Sequence, residues 1–500
     1  MSQICVTLAF EDPTRQAAEH RALVARGVKL VEYRLDFLPA GADIGSIVAG
    51  RAGPIIATIR RTEDGGRWKG SEDDRRRRLE ACASAGAEYV DYEPDAARAL
   101  PRVGATKRIV SMHDFSQTPA DLPAIHARLA ECDADVVKLA TMAREPQDVF
   151  RMLRLVRNAP LPTVGLCMGE IGAPSRVLGA VCGAPWSYAA TDETSAVAPG
   201  QLSFDAMRDL YRYESISAET LVACVIGDPI SHSLSPLVHN RALSAAEIDG
   251  VYVAFRVPVD GLDDFIRDAR QFGMSGVSVT IPHKEGALRS VGRLDEAARA
   301  IGAVNTLVFE TGGETHGYNT DEPGALDPLE AAYPRPHGDV SPLRNRTALV
   351  LGAGGAARAI VYGLVRRGAH VVVANRNAAR AEELAAGLEC RVVSWDERAA
   401  VPYDVLVNCT PLGMHPDVDH TPLETAHLRP DAVVFDTVYN PEPTRLLRDA
   451  AERGCRTVRG SEMFVRQAAL QFRHFFGCDA PPDVMRGAIH QRLPAGGGSK

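Results

Sequence analysis

A lysine inside an apolar run is the residue of this sequence that most needs a chemical explanation. Lys138 stands between Val137 and Leu139 in the strand-like stretch 134–140. A buried ammonium must be paired, or must shed its proton and use the amine. A neutral amine, favoured by nearby arginines, attacks a ketone to form an imine, and the imine acidifies a neighbouring C–H. His113 closes another apolar run, 108–113, and an imidazole that titrates near neutrality suits the transfer of that proton. Other runs also end on notable side chains: Glu32 with Arg34, Arg60, Asp91 with Glu93, and Met168. Glu32 and Arg34 read equally as groups facing a substrate or as an ion pair serving stability.

A second set lies in the other half. The apolar run from Thr347 enters the turn Gly352, Ala353, Gly354, Gly355, Ala356, followed by Ala357 and an alanine-rich helix. Such glycines let the backbone approach a pyrophosphate at a helix N-terminus, and Ala357 takes the helix-packing position. The next strand, 370–374, ends in Asn375 and Arg376, with Arg380 beyond. An NAD enzyme carries an acid there, whereas arginines suit a 2′-phosphate. The alternative is a solvated charge run at a helix start. Upstream, VIGDPISHSLSP holds Ser233 and Ser235, VTIPHK holds Thr280 and Lys284, GAVNT holds Asn305, and GYNTD holds Asp321. Singly each is a turn or cap. Together they offer hydroxyls, an amide, a lysine and a carboxylate, a set suited to a polyhydroxy acid.

The elements that must position the first set recur regularly. Apolar runs fall at 4–10, 30–36, 54–60, 87–93, 108–113, 134–140, 162–168 and 185–191, with helical stretches between most of them. Eight strands alternating with helices predict a (β/α)₈ TIM barrel, which presents its chemistry at the carboxyl ends of its strands. The expected domains are the barrel at 1–216, a substrate lobe at 220–330 to which 460–490 returns, and a Rossmann nucleotide lobe at 331–459. Linkers are expected near 213–220 and in the proline-rich stretch 333–346, and the glycine-rich tail 493–500 is expected to be disordered. A net charge of -8 over 500 residues argues against nucleic acid or an anionic membrane as partner. Ten cysteines without a CxxC pair or zinc spacing point to reduced thiols and to no metal. No run reaches transmembrane length and the start reads as a core strand, so a cytoplasmic enzyme acting on small molecules is expected.

The motifs SMHDF (111–115), VKL (137–139), Ser175 with Arg176, and APGQ (198–201) resemble type I 3-dehydroquinate dehydratase over about residues 3–215. The resemblance implies a Schiff base on Lys138, proton transfer by His113 and capture of the substrate carboxylate by Arg176. It implies that Gln201, Glu32, Arg34 and Arg60 position hydroxyls. Asp64 stands where the family has glutamate before a Gly-Gly pair, and Val197 replaces a family serine. Residues 221–480 resemble shikimate dehydrogenase, with NCTPLGM (408–414), DTVYNP (436–441) and GSEMFVRQ (460–467) as further matches. This resemblance implies NADPH as cofactor and Lys284 with Asp321 as the catalytic pair. Ser233, Ser235, Thr280, Asn305, Tyr439 and Gln467 would line the shikimate pocket, and Thr410 and Gly460 join the cofactor set. Glu322 departs from the family glycine and adds charge beside the site. The alternatives are an NAD-dependent quinate/shikimate dehydrogenase and a non-catalytic regulator of the quinate pathway built from the same domains.

Overall fold

The computed structural model describes residues 2–310, 312–334 and 340–492. The tail 493–500 and part of the 333–346 linker lie outside the described residues. Two compact units divide the chain, Met1–Leu221 with Asp249–Phe272, and Val222–Ile248 with Gly273–Lys500. Among the described residues, no helix is long and apolar enough to cross a membrane.

The first unit holds the eight expected strands: β1 (Gln3–Leu8), β2 (Leu30–Arg34), β3 (Ile55–Thr58), β4 (Tyr89–Tyr92), β5 (Lys107–Asp114), β6 (Val136–Met142), β7 (Thr163–Met168) and β8 (Trp186–Ala189). They run in the order β7-β6-β5-β4-β3-β2-β1-β8, every ladder parallel, and curl into a nearly closed barrel. Cys5, Leu30, Ile56, Ile109, Val136, Val164 and Trp186, one from each of seven strands, pack into one buried cluster. The barrel interior is therefore filled below, and open chemistry is confined to the strand ends. Helices between the strands begin on side-chain caps. Ser71 accepts from the Asp74 amide at the start of Glu72–Ser84, whose first turn is acidic, as the helix dipole favours.

The chain continues through β9 (Leu221–Gly227) and β10 (Gly250–Arg256). Phe255, Phe265 and Phe272 gather around Phe150 in the first unit. The second unit carries β9 with β11 (Gly276–Val279), β12 (Arg293–Leu294), β13 (Thr306–Phe309) and β14 (Thr315–Tyr318). From β9 the order is β11, β13, β14, β12, with antiparallel ladders flanking β13. Its second sheet holds β15 (Thr347–Leu351), β16 (His370–Ala374), β17 (Arg391–Val393), β18 (Val405–Asn408), β19 (Val433–Asp436) and β20 (Arg456–Val458). The order β17-β16-β15-β18-β19-β20, all parallel, is that of a dinucleotide-binding sheet, which reverses direction between β15 and β18.

The helix Gly460–Phe476 packs back on β11 and β13. Gly276 permits that contact: a Cβ there would lie 2.4 Å from the Phe475 ring and 2.5 Å from the Leu307 carbonyl oxygen. Gly276→Ala is expected to cost about 1–3 kcal/mol through overpacking, read as a lower denaturant midpoint for the second unit.

Candidate active sites

Charge pairing organises the barrel's carboxyl end. The Lys138 ammonium lies 3.0 Å from Asp91 and 3.6 Å from Glu32, and 4.2 Å from the centre of the Tyr188 ring. Asp91 also receives Arg60 Nη2 at 2.7 Å and the Ser111 hydroxyl at 2.5 Å. Burial alone would raise the Asp91 carboxyl, yet Arg60, then Lys138, hold it well below the usual carboxylate range. Arg60 extends the chain to Glu93 at 2.6 Å, and Glu93 meets Arg75 at 2.5 Å. Arg75 is fully buried and also donates to the Ile59 carbonyl. Glu32 accepts from Thr7 and Thr58, each at 3.0 Å. Arg34 makes two 2.9 Å bonds to Asp36, so its ion pair is with Asp36 and not with Glu32.

Two groups in the same pocket lack such partners. Burial, then Arg60 and Lys138, push His113 well below its ordinary pKa, which keeps the ring neutral, and its Nδ1 has no hydrogen-bond partner. Arg176 is 2% exposed and meets no acid among the described residues. Its Nη2 donates to the Pro199 carbonyl at 3.1 Å, its Nε has no partner, and burial lowers it to about 10. A buried guanidinium without an acid is a receptor for a carboxylate. The pocket brings together all eight residues singled out for this centre, Glu32, Arg34, Arg60, Asp64, His113, Lys138, Arg176 and Gln201. Asp64 is tied by the neighbouring Arg61 at 2.6 Å. Gln201 accepts from the Val197 amide at 3.0 Å, which occupies the position of the missing serine.

The second centre is built on one short ion pair. Lys284 Nζ donates to Asp321 Oδ2 at 2.5 Å, and Asn305 Nδ2 donates to Asp321 Oδ1 at 2.9 Å. Asp321 opens the helix Asp321–Ala331, where the dipole favours an anion. Behind Asn305, the Gln471 amide donates to the Asn305 carbonyl at 3.0 Å and to Thr306 at 3.1 Å. Ser233, Ser235, Thr280, Tyr439 and Gln467 line the same cleft with Gly354, Gly355, Ala356 and Gly460. The Ser233 hydroxyl accepts from the Ser235 amide, Gln467 donates to the Phe464 carbonyl, and Tyr439 packs on Phe464.

The nucleotide residues fit a dinucleotide. Gly352 has φ +114°, and a Cβ there would lie 2.9 Å from the Cys409 carbonyl oxygen, so only glycine serves the turn. No side chain caps the twelve-residue helix Gly355–Arg366, and a Cβ on Gly354 would meet nothing. The helix start is thus an open cradle of amides. Gly352, Ala353, Thr410, Asn375, Arg376 and Arg380 do not line the cleft. The Thr410 hydroxyl donates to Asn408 at 2.7 Å, and Asn375 donates to the Asn377 carbonyl. Arg376 and Arg380 are exposed beyond β16 and have no ion-pair partner among the described residues.

Sequence reasoning assigned no role to Ser111, Tyr188, Arg75 or Gln471. Asp91 and Glu93 were visible as acids inside an apolar run, but their partners come from other elements, the end of β3, β5, β6 and the helix Glu72–Ser84. Glu322, expected to add charge beside the site, bonds Arg367 at 2.5 Å.

Fold and sites together define a two-centre enzyme, a barrel lyase joined to a dinucleotide-dependent reductase. Residues 4–218 match the type I 3-dehydroquinase family and residues 225–307 the shikimate dehydrogenase substrate-binding domain. Residues 460–490 match the shikimate 5′-dehydrogenase C-terminal domain, and 347–439 match the family described as NADP oxidoreductase, coenzyme F420-dependent. The chain is 39% identical to the chloroplastic bifunctional 3-dehydroquinate dehydratase/shikimate dehydrogenase of Arabidopsis thaliana, over 97% of this chain and 83% of that protein. It is 43% identical to the NADP(+) shikimate dehydrogenase of Methanopyrus kandleri over 56% of this chain and 98% of that one. A solved shikimate dehydrogenase in complex with NADP+ superposes with TM-score 0.52 at 35% identity, covering 56% of this chain and 97% of its own. The chain belongs to the family of bifunctional 3-dehydroquinate dehydratase/shikimate dehydrogenases, shikimate-pathway enzymes whose reductase half uses NADP.

Arg75 tests the buried charge chain. Arg75→Leu takes one of two buried cations from Glu93, which keeps Arg60, and leaving a buried acceptor oxygen unsatisfied costs about 1–3 kcal/mol. Chemical denaturation of the variant is expected to show that loss in the barrel's transition.

Proposed function

We propose that Lys138 is the covalent residue of the dehydratase. The observation that carries this reading is a buried lysine sharing one pocket with a neutral histidine whose Nδ1 has no partner. The Lys138 ammonium and the ketone of 3-dehydroquinate go to a protonated imine and water. The positive charge is conserved, so Asp91 and Glu32 keep their counter-charge throughout. Neutral His113 takes a proton from the adjacent carbon, and the electron pair moves into the imine. The imidazolium returns that proton to the departing hydroxyl, which leaves as water. Hydrolysis of the protonated imine frees 3-dehydroshikimate and restores the Lys138 ammonium. Arg176 takes the substrate carboxylate, while Glu32, Arg34, Arg60, Asp64 and Gln201 position its hydroxyls.

In the reductase, Lys284 gives a proton to the ketone oxygen and Asp321 orients Lys284, itself held by Asn305. Ser233, Ser235, Thr280, Tyr439 and Gln467 recognise the carboxylate and hydroxyls. NADPH supplies the hydride when bound. Gly352, Ala353, Gly354, Gly355, Ala356, Thr410 and Gly460 hold its pyrophosphate and nicotinamide portions, and Asn375, Arg376 and Arg380 its 2′-phosphate. Dehydration belongs to 1–216, and reduction to 220–330 with 460–490 and to the nucleotide lobe 331–459. Ten free cysteines accord with a reducing compartment and support a cytoplasmic setting, although the Arabidopsis relative is named chloroplastic.

Borohydride added with 3-dehydroquinate is expected to fix one covalent adduct, located at Lys138 by peptide mass spectrometry. Lys138→Ala should lose dehydration by on the order of a thousandfold or more; an adduct elsewhere contradicts the assignment. Lys284→Ala and Asp321→Ala are each expected to slow reduction by about 10²–10⁴-fold while dehydration continues, followed by NADPH absorbance and enone absorbance in the same samples. Replacing Arg376 and Arg380 together should raise the KM for NADPH by on the order of tenfold to a hundredfold and leave that for NADH nearly unchanged. Equal losses for both cofactors would remove the arginines from phosphate recognition.

A further inference from the structure

The helix Gly355–Arg366 touches the proposed catalytic pair's supports at both of its ends. At its start, a Cβ on Gly355 would lie 3.1 Å from Lys284 Cδ, so the lysine stem rests on the glycine that opens the nucleotide cradle. At its far end, Arg367 caps the helix and reaches across to the helix that begins with Asp321. Arg367 Nη1 donates to Glu322 Oε1 at 2.5 Å, and its Nε lies 3.1 Å from Glu330 Oε1. The same Nη1 donates to the Gly363 carbonyl at 3.2 Å. Both side chains are largely withdrawn from water, 20% exposed for Arg367 and 16% for Glu322.

The two helices also meet without spacers. A Cβ on Gly363 would lie 2.6 Å from Leu326 Cδ2 and 2.9 Å from Glu322 Oε1. Helices this close convey a shift of one directly to the other. Each charge is already favoured locally, Glu322 in the first turn of its helix and Arg367 at the end of the other. Their bond therefore adds little to either helix alone. What it supplies is a fixed offset between the residue following Asp321 and the end of the helix whose other end bears on Lys284.

We propose that Glu322 and Arg367 are a positioning pair for the reduction, transmitting the seating of the dinucleotide-binding helix to the spacing between Lys284 and Asp321. The proposal rests on the reading of Lys284 and Asp321 as the proton-transfer pair. Neither Glu322 nor Arg367 lines the cleft, so they act through their neighbours.

A double-mutant cycle on the full chain tests it. Glu322→Leu and Arg367→Met are each expected to lower kcat for shikimate formation by about fivefold to tenfold, with the KM for 3-dehydroshikimate nearly constant. The double variant should be no worse than Arg367→Met alone, because the bond lost with Glu322 is already absent once Arg367 is replaced. Arg367→Lys should recover most of kcat, and dehydration in the same samples should stay at its wild-type rate. Unchanged kcat in both singles, additive losses, or a loss explained by the folded fraction in a thermal melt would each overturn the proposal. Lys284→Ala and Asp321→Ala separate the two readings. If they abolish reduction while Glu322→Leu does nothing, only the positioning role falls. If they leave reduction intact, the proton-transfer reading falls and this proposal with it.

Discussion

An ammonium buried at the mouth of an apolar barrel cannot stand alone, and the first unit is arranged around that fact. Lys138 is 4% exposed, and the desolvation of such a charge is met only by acids brought just as deep. Asp91 and Glu32 are those acids, and each then needs donors of its own. Arg60, Ser111, Thr7 and Thr58 supply them. The requirement runs outward through Glu93 to Arg75, on the helix Glu72–Ser84 behind the strands. His113 shares this field: burial first, and then the cations that hold Asp91 ionised, keep the imidazole neutral. One field thus produces opposite protonation states in two neighbouring groups, as acid–base chemistry needs.

The second centre meets the same constraint with fewer charges. Lys284 and Asp321 neutralise one another, and the remaining Asp321 oxygen is filled by an amide from Asn305. Neutral donors suffice because the carboxylate sits at a helix start, where backbone amides already favour it. The lobe that binds the polyhydroxy acid therefore depends on helix placement, which Gly276 and Gly363 allow by having no side chain.

The architecture was largely legible because it rests on periodicity. All eight barrel strands fall within or beside the apolar runs, the boundaries moving by a few residues, as at 54–60, where the strand is Ile55–Thr58. Lys138 announced itself as a charge where none belongs. Its partner's role did not, since Asp91 is 47 positions away and only the pairing of β4, β5 and β6 brings the two together. Arg75 was hidden differently. It opens a run of four arginines that reads as a solvated face, and Arg77, two residues on, is 67% exposed while Arg75 is fully buried. The open choice at Glu32 and Arg34 was also beyond local reasoning, because Arg34 turns to Asp36 and leaves Glu32 to the lysine.

The solitary guanidinium of Arg176 has a consequence for turnover. On the role proposed for Arg176, loss of water leaves the charge of the carboxylate unchanged, so substrate and product present the same charge to the same cation. That charge by itself confers no preference for release. Discrimination must come from groups that sense the ring, or from removal of the product by the next reaction. Carrying the consuming enzyme on the same chain fixes one reductase for every dehydratase, so the means of using the product rises in step with the means of making it.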